Sequence, residues 1–186
     1  MSSKKLAQTY QKKTDIQHIL DAPDTYIGQV DEDEQRNWIL KDDKFVFTNY
    51  KWIPGAYKLF DEGIVNCRDH TIRMQQLVDS NPLDKNYPVT NINITIDDDG
   101  IITLYNDGNG IDVSIHPEYN VWIPELIFGH LRTSTNYDKN EKKIVGGKNG
   151  FGFKLVLIYS KWGQVETVDH IRGLKYVQTF KNNLSK

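Results

Sequence analysis

Cysteine is all but absent: the 186 residues hold one, Cys67. An internal disulfide is therefore excluded, as is a zinc site built from several cysteines, and this usage fits a reducing compartment. Long apolar runs are missing too. No stretch approaches the roughly 18 residues of a membrane-spanning helix, and no signal-peptide pattern is present. Positive charge is not in excess. The formal net charge is −2, so nothing in the overall balance advertises nucleic-acid binding by these residues. Lys4, Lys5, Lys12 and Lys13 make only a modest basic arm. There is no internal repeat and no low-complexity segment. What remains is ordinary for a globular protein: 38% hydrophobic and 26% charged residues, on a chain long enough to bury a sizeable core.

Thr14 followed by Gln17 is a capping-box pattern and predicts a short helix over about 15–20, broken by Asp21-Ala22-Pro23-Asp24. Trp38-Ile39-Leu40 and Phe45-Val46-Phe47 flank a charged turn and read as a hairpin. Pro54 suits the first turn of a helix. Tyr57, Phe60, Ile64, Val65 and Cys67 then recur at helical spacing, predicting a long helix from Ala56 to about Leu77. Residues 79–90 form a loop. Ile92, Ile94 and Ile96 alternate with polar residues, Asp99-Gly100 turns, and Ile102 and Leu104 alternate again, which predicts a hairpin with one face buried. A helix is expected over 121–131. Val165–Val168 and Tyr176–Phe180 read as a last hairpin. The order is helices and antiparallel hairpins without regular βαβ alternation. The fold class expected is α+β, a two-layer sandwich with helices on one face of a mostly antiparallel sheet.

Three stretches carry chemistry. Glu62 and Asn66 are four apart on the long helix and share a face; they offer a carboxylate able to activate water and an amide oxygen for a hard cation. Asp107-Gly108-Asn109-Gly110 ends a strand. Its aspartate can accept from an exocyclic amine, while its glycines let a flat base approach the backbone; an ordinary Asx turn has the same composition. Gly146-Gly147-Lys148-Asn149-Gly150-Phe151-Gly152-Phe153-Lys154 is a glycine-rich loop running into the apolar Leu155–Tyr159. Backbone N–H groups and two lysines there suit the phosphates of a nucleotide. It is neither a Walker A loop, which needs Gly-Lys-Ser/Thr at a fixed spacing, nor a Rossmann fingerprint, which needs a strand leading into it. Thr133 to Lys143 is polar and long enough to act as a lid.

The order Glu-x-x-x-Asn, Asp-Gly-x-Gly, glycine-rich loop resembles the GHKL (Bergerat-fold) ATPases. Tyr10–Thr14, Pro23–Gly28, Phe60-Asp61-Glu62 with Val65-Asn66, Pro124–Gly129, Thr133–Tyr137 and Gly146–Gly150 narrow the resemblance to the N-terminal ATPase domain of eukaryotic-type, type IIA DNA topoisomerases, including those of large DNA viruses. The resemblance covers about Tyr10 to about Phe180, and implies a fragment of a larger enzyme that binds and hydrolyses ATP and couples closure of a dimer to DNA strand passage. It implies a strap and short helix over 1–28 and an ATP-binding domain over 29–186. Glu62 is then the general base, Asn66 the Mg2+ ligand and Asp107 the reader of the adenine amine. Ser134, Thr135 and Asn136 lie over sugar and phosphates. Lys148, Asn149, Gly150, Phe151, Gly152 and Lys154 wrap the phosphates, and residues around Tyr10 reach over the nucleotide of a second copy of the chain. DNA is a partner through the full-length enzyme, no membrane is involved, and the location implied is the nucleus, or cytoplasm and virion for a viral source. A further phosphate-contacting lysine is expected from a following domain, so the 186 residues alone are expected to bind nucleotide with turnover near background.

The chain departs from the family in places. Lys148 stands where arginine is usual and His70 where asparagine is. Gly63 replaces a large aliphatic residue and Phe153 an alanine; the missing side chain at 63 is expected to make room for the ring at 153. The alternatives are another GHKL ATPase of chaperone or mismatch-repair type, a nucleotide-binding module without hydrolysis, and a scaffold domain with chance motifs.

Overall fold

A computed structural model describes residues 9, 10, 12–133 and 151–185. Its contacts divide the chain into two compact units, Met1–Ala56 and Tyr57–Lys186. In the first unit, helix α1 (Asp15–Asp21) starts where Thr14 caps it, its side chain accepting from the Gln17 N–H at 3.2 Å. Only that half of the capping box forms: the Gln17 amide reaches forward to Asp21 at 2.8 Å. Ile19 anchors the helix and is fully buried. Helix α2 (Pro23–Tyr26) follows, with proline in its first turn, where a missing N–H is harmless. Strands β1 (Asp33–Lys41) and β2 (Lys44–Trp52) pair antiparallel through a two-residue turn. Asp42 and Asp43 both take positive φ, 50° and 59°, the geometry whose twist matches that of paired strands. The hairpin is longer at both ends than its apolar residues suggest.

The second unit holds most of α3 (Pro54–Ser80), whose first turn belongs to the first unit. Then come β3 (Ile92–Ile96) paired with β4 (Ile102–Asn106), α4 (Ile123–Gly129), α5 (Gly152–Ile158), and β5 (Trp162–Asp169) paired with β6 (Leu174–Lys181). The fold is α+β with antiparallel pairing, as expected; among the described residues each ladder has two strands. Helix α4 is shorter than expected. Pro124 has no N–H to give and sits buried in its first turn, while Trp122 is used in a bridge to Ile115. The core lies where Leu157 of α5 meets Val165 of β5 and Phe180 of β6, with Phe128, Phe153 and Leu184 packed against it.

Two expectations fail. The β3–β4 hairpin does not bury one face: Ile94 is 39% and Ile96 64% exposed. Alternation says which side chains share a face, not whether anything covers it. Gly63 and Phe153 are also not one feature. A Cβ at Gly63 would stand 2.6 Å from the Leu104 Cδ1 of β4, so the missing side chain admits that leucine. The Phe153 ring packs edge-on against Phe128, centroids 5.7 Å apart. Gly63→Ile is therefore expected to destabilise the chain by about 1–3 kcal/mol through overpacking. In urea denaturation, adding Leu104→Ala should recover part of that loss, and adding Phe153→Ala should recover none.

Candidate functional site

Helix α3 presents Glu62 and Asn66 one turn apart, as their spacing requires. The Asn66 amide Nδ2–H donates to the Glu62 carbonyl oxygen at 2.6 Å, which leaves Oδ1 as the amide's acceptor. Lys58, one turn earlier, holds the Glu62 carboxylate at 2.8 Å, and that bond raises the lysine's pKa above its ordinary value. Gly152, the first residue of α5, comes up against both. A Cβ there would stand 3.2 Å from Glu62 Oε2 and 3.7 Å from Asn66 Nδ2. The structure thus brings together the helix pair and the end of the glycine-rich stretch, 86 residues further on in sequence from Asn66 to Gly152.

Lys154 lies in the first turn of α5 and is only 4% exposed. Its ammonium donates to the Thr133 carbonyl at 2.6 Å and to the Thr133 hydroxyl at 2.8 Å. Thr133 in turn donates to the carbonyls of Leu126 or His130 at the end of α4. Burial lowers the Lys154 pKa from 10.5 to about 8. Phe151 caps α5 without a side-chain bond to the helix.

Asp107 sits just past β4. Its Oδ1 accepts the N–H of Thr90 at 2.7 Å and of Asn91 at 2.9 Å, and its Oδ2 the Thr90 hydroxyl at 2.6 Å. The Thr90 hydroxyl first, then the Asn91 N–H, hold its carboxyl below the usual carboxylate range. Gly108 has φ +95°, and a Cβ there would meet Val89 at 2.9 Å. Asn109 bonds the following loop to the 86–87 segment: its Oδ1 accepts from Tyr87 N–H and its Nδ2 donates to Asn86, both at 2.8 Å. His70, on α3, donates from Nε2 to the Asn109 carbonyl at 2.8 Å. A carbonyl only accepts, so Nε2 carries the proton; burial pushes the ring's pKa down and favours the neutral form.

Of the residues singled out in the sequence, the structure places Glu62, Asn66 and Gly152 together. It puts Lys154 on the same short helix as Gly152, with Phe151 at the helix's N-cap, and Asp107 on its own network. Ser134, Thr135, Asn136, Lys148, Asn149 and Gly150 lie outside the described residues. Lys58 and Thr90 were not foreseen, and Thr133 was read as the start of a polar stretch, not as the partner of Lys154. Lys58 was findable, four residues before Glu62; no sequence signal ties Thr90 to Asp107 across 17 residues.

No family model matches the chain. The DNA topoisomerase 2 of Acanthamoeba polyphaga mimivirus is 46% identical over 188 residues, covering 97% of this chain and 14% of its own length. That of Pisum sativum is 42% identical over 183 residues, covering 98% and 12%. The chain therefore spans about an eighth of the length of these curated relatives. The crystal structure of the ATPase region of Saccharomyces cerevisiae topoisomerase II matches with a TM-score of 0.86 at 42% identity, over 97% of this chain and 45% of that one. The ATPase domain of Thermus thermophilus gyrase B matches at 20% identity with a TM-score of 0.58, a likeness of fold alone. Fold and ordered motifs together define a GHKL ATPase-type domain. Within that class, the chain belongs to the same family as the ATPase region of the type II DNA topoisomerases.

Buried Lys154 gives a pH test. A lysine whose folded pKa lies below its unfolded one sheds its proton earlier in the folded chain. Its burial penalty is present below about pH 8 and is relieved as pH rises through 8 towards 10.5. In denaturant titrations at about pH 7 and about pH 9.5, the stability difference between wild type and Lys154→Met should move in favour of wild type at the higher pH. A difference that stays constant would show that Lys154 titrates as a solvated lysine.

Proposed function

We propose that this chain binds ATP with Mg2+ and hydrolyses it as the N-terminal gate of a type II DNA topoisomerase, in which closure of two copies is coupled to passage of one DNA duplex through another. The observation that carries the reading is the approach of Glu62 and Asn66 to Gly152. It sets a carboxylate and an amide side chain beside the end of a glycine-rich stretch, as hydrolysis of a bound nucleoside triphosphate requires.

In this reading Glu62 orients the attacking water and takes its proton, and Lys58 holds the carboxylate in place by the bond described above. The Asn66 amide fits a hard cation, because its Nδ2 is committed to a carbonyl and its oxygen is the atom left to ligate. When bound, Mg2+ supplies neutralisation of the charge on the phosphate oxygens. Asp107 accepts from the adenine amine. Phe151, Gly152 and Lys154, with Lys148, Asn149 and Gly150, contact the phosphates, and Ser134, Thr135 and Asn136 cover sugar and phosphates. Residues 1–28 hold a strap and a short helix, those around Tyr10 reaching over the nucleotide of a second copy, and 29–186 form the ATP-binding domain. DNA enters as a partner of the longer protein, and the compartment is intracellular: the nucleus, or cytoplasm and virion for a viral source. Support for these roles is the family membership together with the geometry of Glu62, Asn66, Gly152 and Asp107.

The test separates binding from turnover. Glu62→Gln should leave ATP affinity, measured by calorimetry with Mg2+, within a few-fold of wild type. It should lower hydrolysis by the whole protein about 100-fold or more, the usual contribution of a positioned base. Wild-type turnover in Glu62→Gln would remove Glu62 from the base role, and a wild-type chain that binds no ATP would overturn the function.

A further inference from the structure

The Asp107 carboxylate is nearly saturated before any ligand arrives. An ionised carboxylate offers about four acceptor positions, two on each oxygen. Oδ1 already accepts two backbone N–H groups, from Thr90 and Asn91, and Oδ2 accepts the Thr90 hydroxyl. One position remains, on Oδ2. The backbone donors sit on adjacent residues and fix one oxygen; the hydroxyl, at 2.6 Å, is what fixes the other and so the twist of the group. A bond that short, from hydroxyl to carboxylate, is of the strong, charge-assisted kind. With its proton committed to Asp107, the Thr90 oxygen has only lone pairs left to offer.

We infer that Thr90 is the positioning residue that sets nucleobase specificity, by turning Asp107 so that the pair presents acceptors and no donor. A purine with an exocyclic amine at its six-position supplies the one N–H that Oδ2 can take. A purine with a carbonyl oxygen there meets lone pairs on both side chains and is rejected, because acceptors brought face to face under a bound base are left unpaired. The inference rests on the reading of Asp107 as the group that contacts the base. Thr90 touches the carboxylate and acts through it.

Thr90→Val keeps the shape of the side chain and both backbone donors and removes only the hydroxyl. Calorimetry on the full chain with ATP, GTP and inorganic tripolyphosphate, each with Mg2+, tests the idea. Wild type should prefer ATP over GTP by about ten-fold or more. Thr90→Val should lose most of that preference, with ATP affinity down several-fold to about ten-fold, the worth of one such hydrogen bond, and tripolyphosphate affinity unchanged. Thr90→Ser, which keeps the hydroxyl, should restore the preference, and Thr90→Ala serves as the hydroxyl-free variant where valine does not fold. Unchanged discrimination in Thr90→Val and Thr90→Ala would overturn the inference. So would a parallel loss of ATP and tripolyphosphate affinity, which marks a purely structural role. A wild-type chain that binds ATP and GTP equally would overturn the base-reading role of Asp107 instead, and one that binds neither would overturn the proposed function.

Discussion

Between β4 and α4 the chain has no regular secondary structure, and the second unit depends on how this stretch is tied down. Alternate residues bond to different elements. Asp107 accepts from Thr90 and Asn91 ahead of β3, and Asn109 exchanges bonds with Tyr87 while its carbonyl accepts from His70 of α3. The Ile111 N–H donates to the Thr167 hydroxyl and the Val113 N–H to the Asp169 carboxylate, both on β5. A loop that cannot pair with a sheet must still satisfy its backbone groups. Here they are satisfied by a side chain from α3, by side chains from β5 and by backbone carbonyls of the segment leading into β3, so one stretch is tied to all three. The intervening glycines are part of the same constraint. Gly108 takes a positive φ against Val89, and a Cβ at Gly110 would run into the Val168 carbonyl.

The far end of this stretch is held by a buried charge. Asp169 is 3% exposed, and burial alone would push its carboxyl up. The N–H groups of Arg172 and Val113 and the Arg172 guanidinium outweigh that and hold it well below the usual carboxylate range, while the Ile171 N–H adds a further bond. The aspartate thus closes the β5–β6 turn and grips Val113 with one side chain. A carboxylate with its acceptor positions filled is a rigid fixture, whereas the same group with a donor removed would be a buried, unpaired charge.

The elements were legible in the sequence because local chemistry dictates them: Thr14 at a helix start, Asp-Gly in a turn, helical spacing from Tyr57 to Cys67. The grouping of Glu62, Asn66 and Gly152 was legible only through the order of the motifs and the family they resemble, since no spacing rule links residues 86 apart. Gly63 shows the limit. Its glycine was visible, but its reason is a leucine on β4 that no helical or loop pattern points to. His70 likewise looked like a loss, a departure from the usual asparagine. In the fold it is a tie between α3 and the loop carrying Asp107.

Position 152 joins these threads. A Cβ there would stand 3.2 Å from the Glu62 carboxylate and in ordinary contact with the Asn66 amide at 3.7 Å, so any side chain must push the carboxylate aside by a few tenths of an ångström. Neither group is free to shift. Glu62 is held by Lys58, and Asn66 is bonded back to the helix it sits on. Behind Gly152, Lys154 is buried against Thr133, and Leu157 is locked into the core with Val165 and Phe180. The helix therefore has little freedom to retreat. Close approach at one glycine, with rigid packing on both sides of it, is what holds the acidic and amide groups of α3 at a fixed distance from the end of the glycine-rich stretch.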